Sequence, residues 1–185
     1  TSYILSKIRE KNTGVLIDLG HHPHGVNIEQ IVATLIAENL RCGFHFNTRY
    51  SADDDQAVEP NPQMARIFYY LVKGNVICNK DVNKNWFYGL DQASGRENRI
   101  EAIIHSIDSL QISLAKASVV NTEKLRELQE KDDIIGANRY FNNALINSDV
   151  RPIVYKARIE KGLPVDAIKE YKISGYQKKI EKERK

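Results

Sequence analysis

The sequence predicts an α/β protein built on parallel strands. Two observations carry that prediction. Three short apolar runs, GVLIDLG (14–20), CGFHFN (42–47) and NWFYGLD (85–91), are separated by stretches of helical periodicity. Beyond Asp91 only helical spacing continues to the end. The first run does not alternate between Val15 and Ile17, as expected of a strand covered on both faces.

The elements follow in order. SYILSKIREKN at the start has helical spacing at Ile4, Leu5 and Ile8. After the first strand, Asn27 is a suitable N-cap with Gln30 three residues later. Ile31, Val32, Leu35, Ile36 and Leu40 mark one face of the helix that follows. In the second strand, Phe44 and Phe46 point one way and His45 and Asn47 the other. A polar loop then runs to Asn61-Pro62, a cap followed by proline at the first helical position. That helix reaches Gly74, a natural stop. NVICN (75–79) reads as a short extended piece before the third strand. In the next helix, Ile100, Ile103, Ile104, Ile107, Leu110 and Leu114 form the apolar stripe. The basic tail SGYQKKIEKERK reads as a solvated helix end.

The chain has 185 residues, 42% hydrophobic and 28% charged, with a net charge of +3. The length suits a sizeable core. The charge is too small to argue for nucleic acid. No apolar stretch approaches the roughly 20 residues of a membrane span. The sequence opens without an initiator Met and without a secretory h-region, so a fragment or processed product of a cytoplasmic protein is expected. Cys42 and Cys78 both sit beside apolar residues and are expected to be buried free thiols in a reducing compartment. Neither has the close cysteine or histidine neighbour of a thiolate zinc site.

The charged residues of the strand ends hold the chemistry. Asp18 closes the first strand, with His21 and His22 just beyond it. His45 lies in the second strand, with Asp53, Asp54 and Asp55 in the loop after it. Asp91 closes the third. Parallel strands bring their carboxyl ends to one rim, where α/β proteins place their chemistry. Carboxylates crowded there repel one another unless a cation joins them. Carboxylate with imidazole is a ligand set for Mn²⁺, Mg²⁺, Co²⁺ or Zn²⁺, and the absence of thiolate favours Mn²⁺ or Mg²⁺. Each signal alone has a plainer reading: a satisfied core histidine at His45, a solvated loop at ADDD, a surface turn at HHPHG. Their joint placement at three strand ends argues for metal. The His-x-His-x-Asp-His pattern of one metallo-hydrolase class fails, because His24 is followed by Gly25 and Val26.

Four blocks resemble the L-rhamnose isomerase and related sugar isomerase family: LIDLGHHPHGVNIEQIVATLI, GFHFNTRYSADDD, FYGLDQ and the closing SDVRPIVYKARIEKG…KISGY. The likeness runs over nearly the whole chain. It implies a (β/α)8 barrel, of which this chain would supply the last three strands (1–95) and a C-terminal helical extension (96–185). It implies an aldose–ketose isomerase with two divalent metals, usually manganese, and a small-molecule sugar substrate. Asp18, His45 and Asp91 match ligands of the metal that holds substrate hydroxyls. His21, Asp53 and Asp55 match ligands of the catalytic metal, leaving Asp54 to point elsewhere. Asp91 and His21 are the expected catalytic residues, Asp91 helping to shuttle a proton. His22 belongs to the motif as a supporting residue, and nothing is carried onto His24. Hydrogen moves between C1 and C2 either as a hydride or through an enediol.

The chain departs from the family in length, since a full barrel takes roughly 250 residues. The family's bridging glutamate, a nearby lysine and the aromatic sugar pocket would lie upstream of Thr1. The isolated chain is therefore expected to be inactive without the missing N-terminal half of the barrel. Family members are commonly homotetramers. Two other readings compete: a non-catalytic remnant serving assembly or binding, and a barrel phosphodiesterase or nuclease. The nuclease reading is disfavoured because the rim loop SADDDQAVEP is acidic.

Overall fold

A computed structural model describes residues 13–50, 53–92 and 94–184. The expected opening helix lies outside them. Three parallel strands form the sheet: β1 (Val15–Asp18), β2 (Cys42–Phe46) and β5 (Trp86–Leu90), in the order β1-β2-β5. Helix α1 (Ile28–Ala37) links β1 to β2. Between β2 and β5 lie the strands β3 (Thr48–Tyr50) and β4 (Asp53–Gln56), then α2 (Pro62–Lys73) and the short α3 (Lys80–Asn83). After β5 the chain is helical among the described residues: α4 (Arg99–Ser118), α5 (Thr122–Glu130), α6 (Ile134–Asn142), α7 (Arg151–Glu160), α8 (Ala167–Ser174) and α9 (Tyr176–Glu183). A π-helical turn, Asn143–Asn147, extends α6.

The helix starts follow their sequence signals. Asn27 Oδ1 accepts from Gln30 N at 2.9 Å, and Asn61 Oδ1 accepts from Met64 N at 2.8 Å, each satisfying an amide the helix cannot. The core gathers on one face of the sheet. Ile17, Phe44 and Phe46 join Val32 and Leu35 of α1 and Ile67, Phe68 and Leu71 of α2. The Phe44 and Phe46 rings stack at 4.9 Å, and Phe46 stacks on Phe68 at 5.9 Å. The opposite face carries Leu16 and Phe87, which are 53% and 59% exposed. The expectation that β1 is covered on both faces is therefore corrected for the described residues.

Four further expectations change. The polar loop after β2 folds instead as the antiparallel pair β3–β4, with Thr48 opposite Gln56. Its base is tied down by Glu59 N donating to Thr48 Oγ1 at 3.0 Å and Ser94 N donating to Asp55 O at 3.2 Å. The NVICN segment is a turn, because Asn75 takes the left-handed conformation at φ 53°. Val76 N then closes back on Leu71 O at 2.9 Å, consuming a carbonyl of the last helical turn. Gly74 itself has φ −76°, so its role is space. A Cβ there would lie 2.7 Å from Ile36 Cγ2. Cys78 is exposed, and only Cys42 is a buried thiol.

The inner face of α4 is also different. The residues it buries are Ala102, Ser106, Ser109, Ser113 and Ala117, whereas Ile103 and Ile107 are 44% and 45% exposed. Helix α2 packs against α4, and small side chains let the two backbones approach. Ser106 Oγ accepts from Val58 N at 2.9 Å and donates to Gln92 Oε1. Arg158 fastens α7 to α4 by donating to Gln111 Oε1 at 2.9 Å and pairing with Asp108. No helix among the described residues is long and apolar enough to cross a membrane.

Candidate metal centre

Strand register builds this site. Asp18 pairs with His45 across β1 and β2, and Phe46 pairs with Leu90 across β2 and β5. Asp91 N then donates to Phe46 O at 3.1 Å. The carboxyl ends of three strands are thus level. Period-two alternation turns Ile17, Phe44 and Phe46 into the core and leaves Asp18 and His45 toward the opposite side.

Ligand atoms from Asp18, His45 and Asp91 all lie within 4.8 Å of one another. His45 Nδ1 is 3.3 Å from Asp18 Oδ2 and 2.9 Å from Asp91 Oδ2. His21 Nδ1 is 2.8 Å from the same Asp18 oxygen. One imidazole nitrogen donates at most one proton, yet His45 Nδ1 faces two carboxylates. A cation between the three groups would satisfy both carboxylates and take the nitrogen as a lone-pair donor. Two carboxylates and one imidazole are a donor set suited to hard or borderline divalent ions. The residues therefore fit a metal.

Asp18 is the best-supported member. Its other oxygen, Oδ1, accepts from Asn47 Nδ2 at 3.0 Å and from Gly20 N at 3.2 Å. Burial pushes the Asp18 carboxyl up, but the bonds from Asn47, His21 and His45 outweigh it and hold the group below its ordinary value. Asp18 is thus kept ionised with Oδ2 directed at the imidazoles.

The remaining sequence-derived residues are placed as follows. His21 is exposed, on the turn beyond β1, with its ring against Asp18. Asp55 is half-buried in β4, its Oδ1 3.5 Å from Asn47 Nδ2. Asp53 begins β4, and its side chain and that of Asp54 lie outside the described residues. His22 is half-buried and His24 exposed. They line a small polar recess with Asn47, Thr48 and Gln63. Sequence reasoning put Asn47 on the His45 side of β2 but assigned it no task. It is buried, and it contacts both Asp18 and Asp55. Its position two residues after His45 was the available signal.

No family model matches the chain. Two curated proteins do. A probable sugar isomerase of Mesorhizobium japonicum is 32% identical over 186 residues, covering 100% of this chain and 43% of that protein. A probable sugar isomerase of Rhizobium meliloti is 32% identical over 188 residues, with the same coverage. The likeness is to sugar isomerases. This chain spans less than half the length of these relatives.

Proposed function

We propose that this chain carries the metal-binding strand ends of an aldose–ketose isomerase of the L-rhamnose isomerase type. The observation that supports the reading best is the convergence of Asp18, His45 and Asp91 from three parallel strands. The resemblance points the same way, and the names of the two relatives, probable sugar isomerases, support the coarser reading of a sugar isomerase.

In this reading Asp18, His45 and Asp91 hold one divalent cation, and His21, Asp53 and Asp55 hold a second. The family resemblance makes manganese the first choice, and oxygen and imidazole donors are compatible with it. Such ions act as Lewis acids that fix sugar hydroxyls and polarise the carbonyl. The chain's own residues supply position and proton handling. Asn47 and Gly20 occupy one Asp18 oxygen and leave the other directed at the site. The Asp91 side chain is 43% exposed against 16% for Asp18, so it is the more accessible of the two carboxylates. Asp91 helps to shuttle the proton that moves between O1 and O2, while the His21 ring lies against Asp18.

The fold reading extends in the same direction. Residues 1–95 would be the last three βα units of a (β/α)8 barrel and 96–185 a helical extension. Further strands would then cover the exposed Leu16 and Phe87 side chains and pair with the edges of β1 and β5. A homotetramer in the cytoplasm completes the proposal.

The test uses full-length protein, a panel of aldoses that includes L-rhamnose, and detection of ketose by NMR. Turnover that is lost with a chelator and restored by Mn²⁺ supports the reading. Turnover unaffected by complete metal removal, or no isomerisation of any aldose by the Mn²⁺-loaded protein, removes it.

A further inference from the structure

We infer that Asn47 is a positioning residue that sets both proposed metal positions through one buried amide. The inference rests on the metal reading above and deepens it. Asn47 is 1% exposed, immediately beyond β2. Its Oδ1 accepts from Gly20 N at 2.6 Å, on the turn that leads from Asp18 to His21. Its Nδ2 donates to Asp18 Oδ1 at 3.0 Å and lies 3.5 Å from Asp55 Oδ1. One side chain thus touches a carboxylate of the first ligand group, a carboxylate of the second, and the backbone that carries the second group's histidine.

Two consequences follow from hydrogen-bond chemistry. An amide Nδ2 has two protons, so it can serve two carboxylates at once, which a hydroxyl or an imidazole nitrogen cannot do. By occupying Asp18 Oδ1, it leaves Oδ2 as the oxygen turned toward His45 and available to serve as the ligand atom of a bound cation. The partners that orient metal ligands typically affect metal affinity by about 10- to 100-fold. A partner shared between two ligand groups should affect both.

The experiment titrates full-length protein with Mn²⁺ alone and reads two dissociation constants by calorimetry. Wild type, Asn47→Ser, Asn47→Gln and Ser106→Ala are compared. Ser106 is a buried hydrogen-bonding residue that touches none of the proposed ligands, so its variant reports general destabilisation. The expected result is that Asn47→Ser raises both constants about 10- to 100-fold, while Ser106→Ala leaves both unchanged. Asn47→Gln keeps the amide but displaces it by one methylene. It should show the same double loss, and it carries the test where the serine variant does not fold. Both constants within twofold of wild type, or a loss confined to one, overturn the inference while leaving the metal reading intact. Wild-type protein that binds no Mn²⁺ overturns the metal reading, and this inference with it.

Discussion

Asp18 and His45 are direct register partners across β1 and β2, and their side chains meet with His45 Nδ1 3.3 Å from Asp18 Oδ2. The pairing joins a carboxylate and an imidazole that lie 27 residues apart in sequence. Asp91 reaches the same imidazole nitrogen from the third strand at 2.9 Å.

Asp91→Asn keeps the size of that side chain and removes the carboxylate that would pass a proton. In full-length protein, turnover on a good aldose substrate should fall by about 10²- to 10⁴-fold, the usual range for a general acid–base group. Wild-type turnover in a correctly folded variant would strip Asp91 of that part.

Phe44→Ala tests the packing beneath the site. Phe44 is fully buried and stacks with Phe46, Trp86 and Tyr88. Its truncation should cost about 3–5 kcal/mol, as for other buried aromatics. Urea denaturation measures this as a lower midpoint at unchanged slope.

Gly74→Ala should destabilise by about 1–3 kcal/mol. Its backbone conformation suits alanine, but the added methyl would meet Ile36 Cγ2 at 2.7 Å and Tyr70 O at 3.1 Å. Thermal unfolding of the variant gives the sign directly. A rise in melting temperature would mean that α1 and α2 have room to separate there.

Alkali should weaken the fold before it affects surface charges alone. Burial pushes the Cys42 thiol up to about 12 and the Tyr88 phenol up to about 12. Both stay protonated in the folded state while they ionise in the unfolded chain. The unfolded state then binds fewer protons, so stability is full below the ordinary thiol value and falls as pH rises toward 12. Denaturation midpoints at pH 8, 9 and 10 should decline in that order. A thiol reagent at pH 8 should react quickly with the exposed Cys78 and with Cys42 only on unfolding.

The sheet and its polar rim were legible because both depend on local patterns. The strands announce themselves as apolar runs, and Asp18, His45 and Asp91 stand near the ends of those runs. Parallel pairing alone makes those ends coincide. The inner face of α4 was not legible, because two stripes share the helical period. Hydrophobicity favours Ile103 and Ile107, but close approach of α2 selects Ser106, Ser109 and Ser113. The β3–β4 pair was hidden for a different reason. TRY and DDDQ have neither apolar alternation nor a turn dipeptide, so only tertiary ties such as Ser94 N to Asp55 O mark them. Asn47 was placed on the His45 side of β2 by alternation, but its task stayed hidden because burial and contacts with Asp18 and Asp55 arise only from tertiary packing.

In the proposed function, Asp18, His45 and Asp91 jointly hold a divalent cation. An anomalous-scattering map at the manganese edge, from crystals of full-length protein grown with Mn²⁺, examines it most directly. A peak bounded by Asp18 Oδ2, the His45 imidazole and the Asp91 carboxylate is the expected result. Manganese bound elsewhere, with these three side chains in contact only with one another, contradicts it.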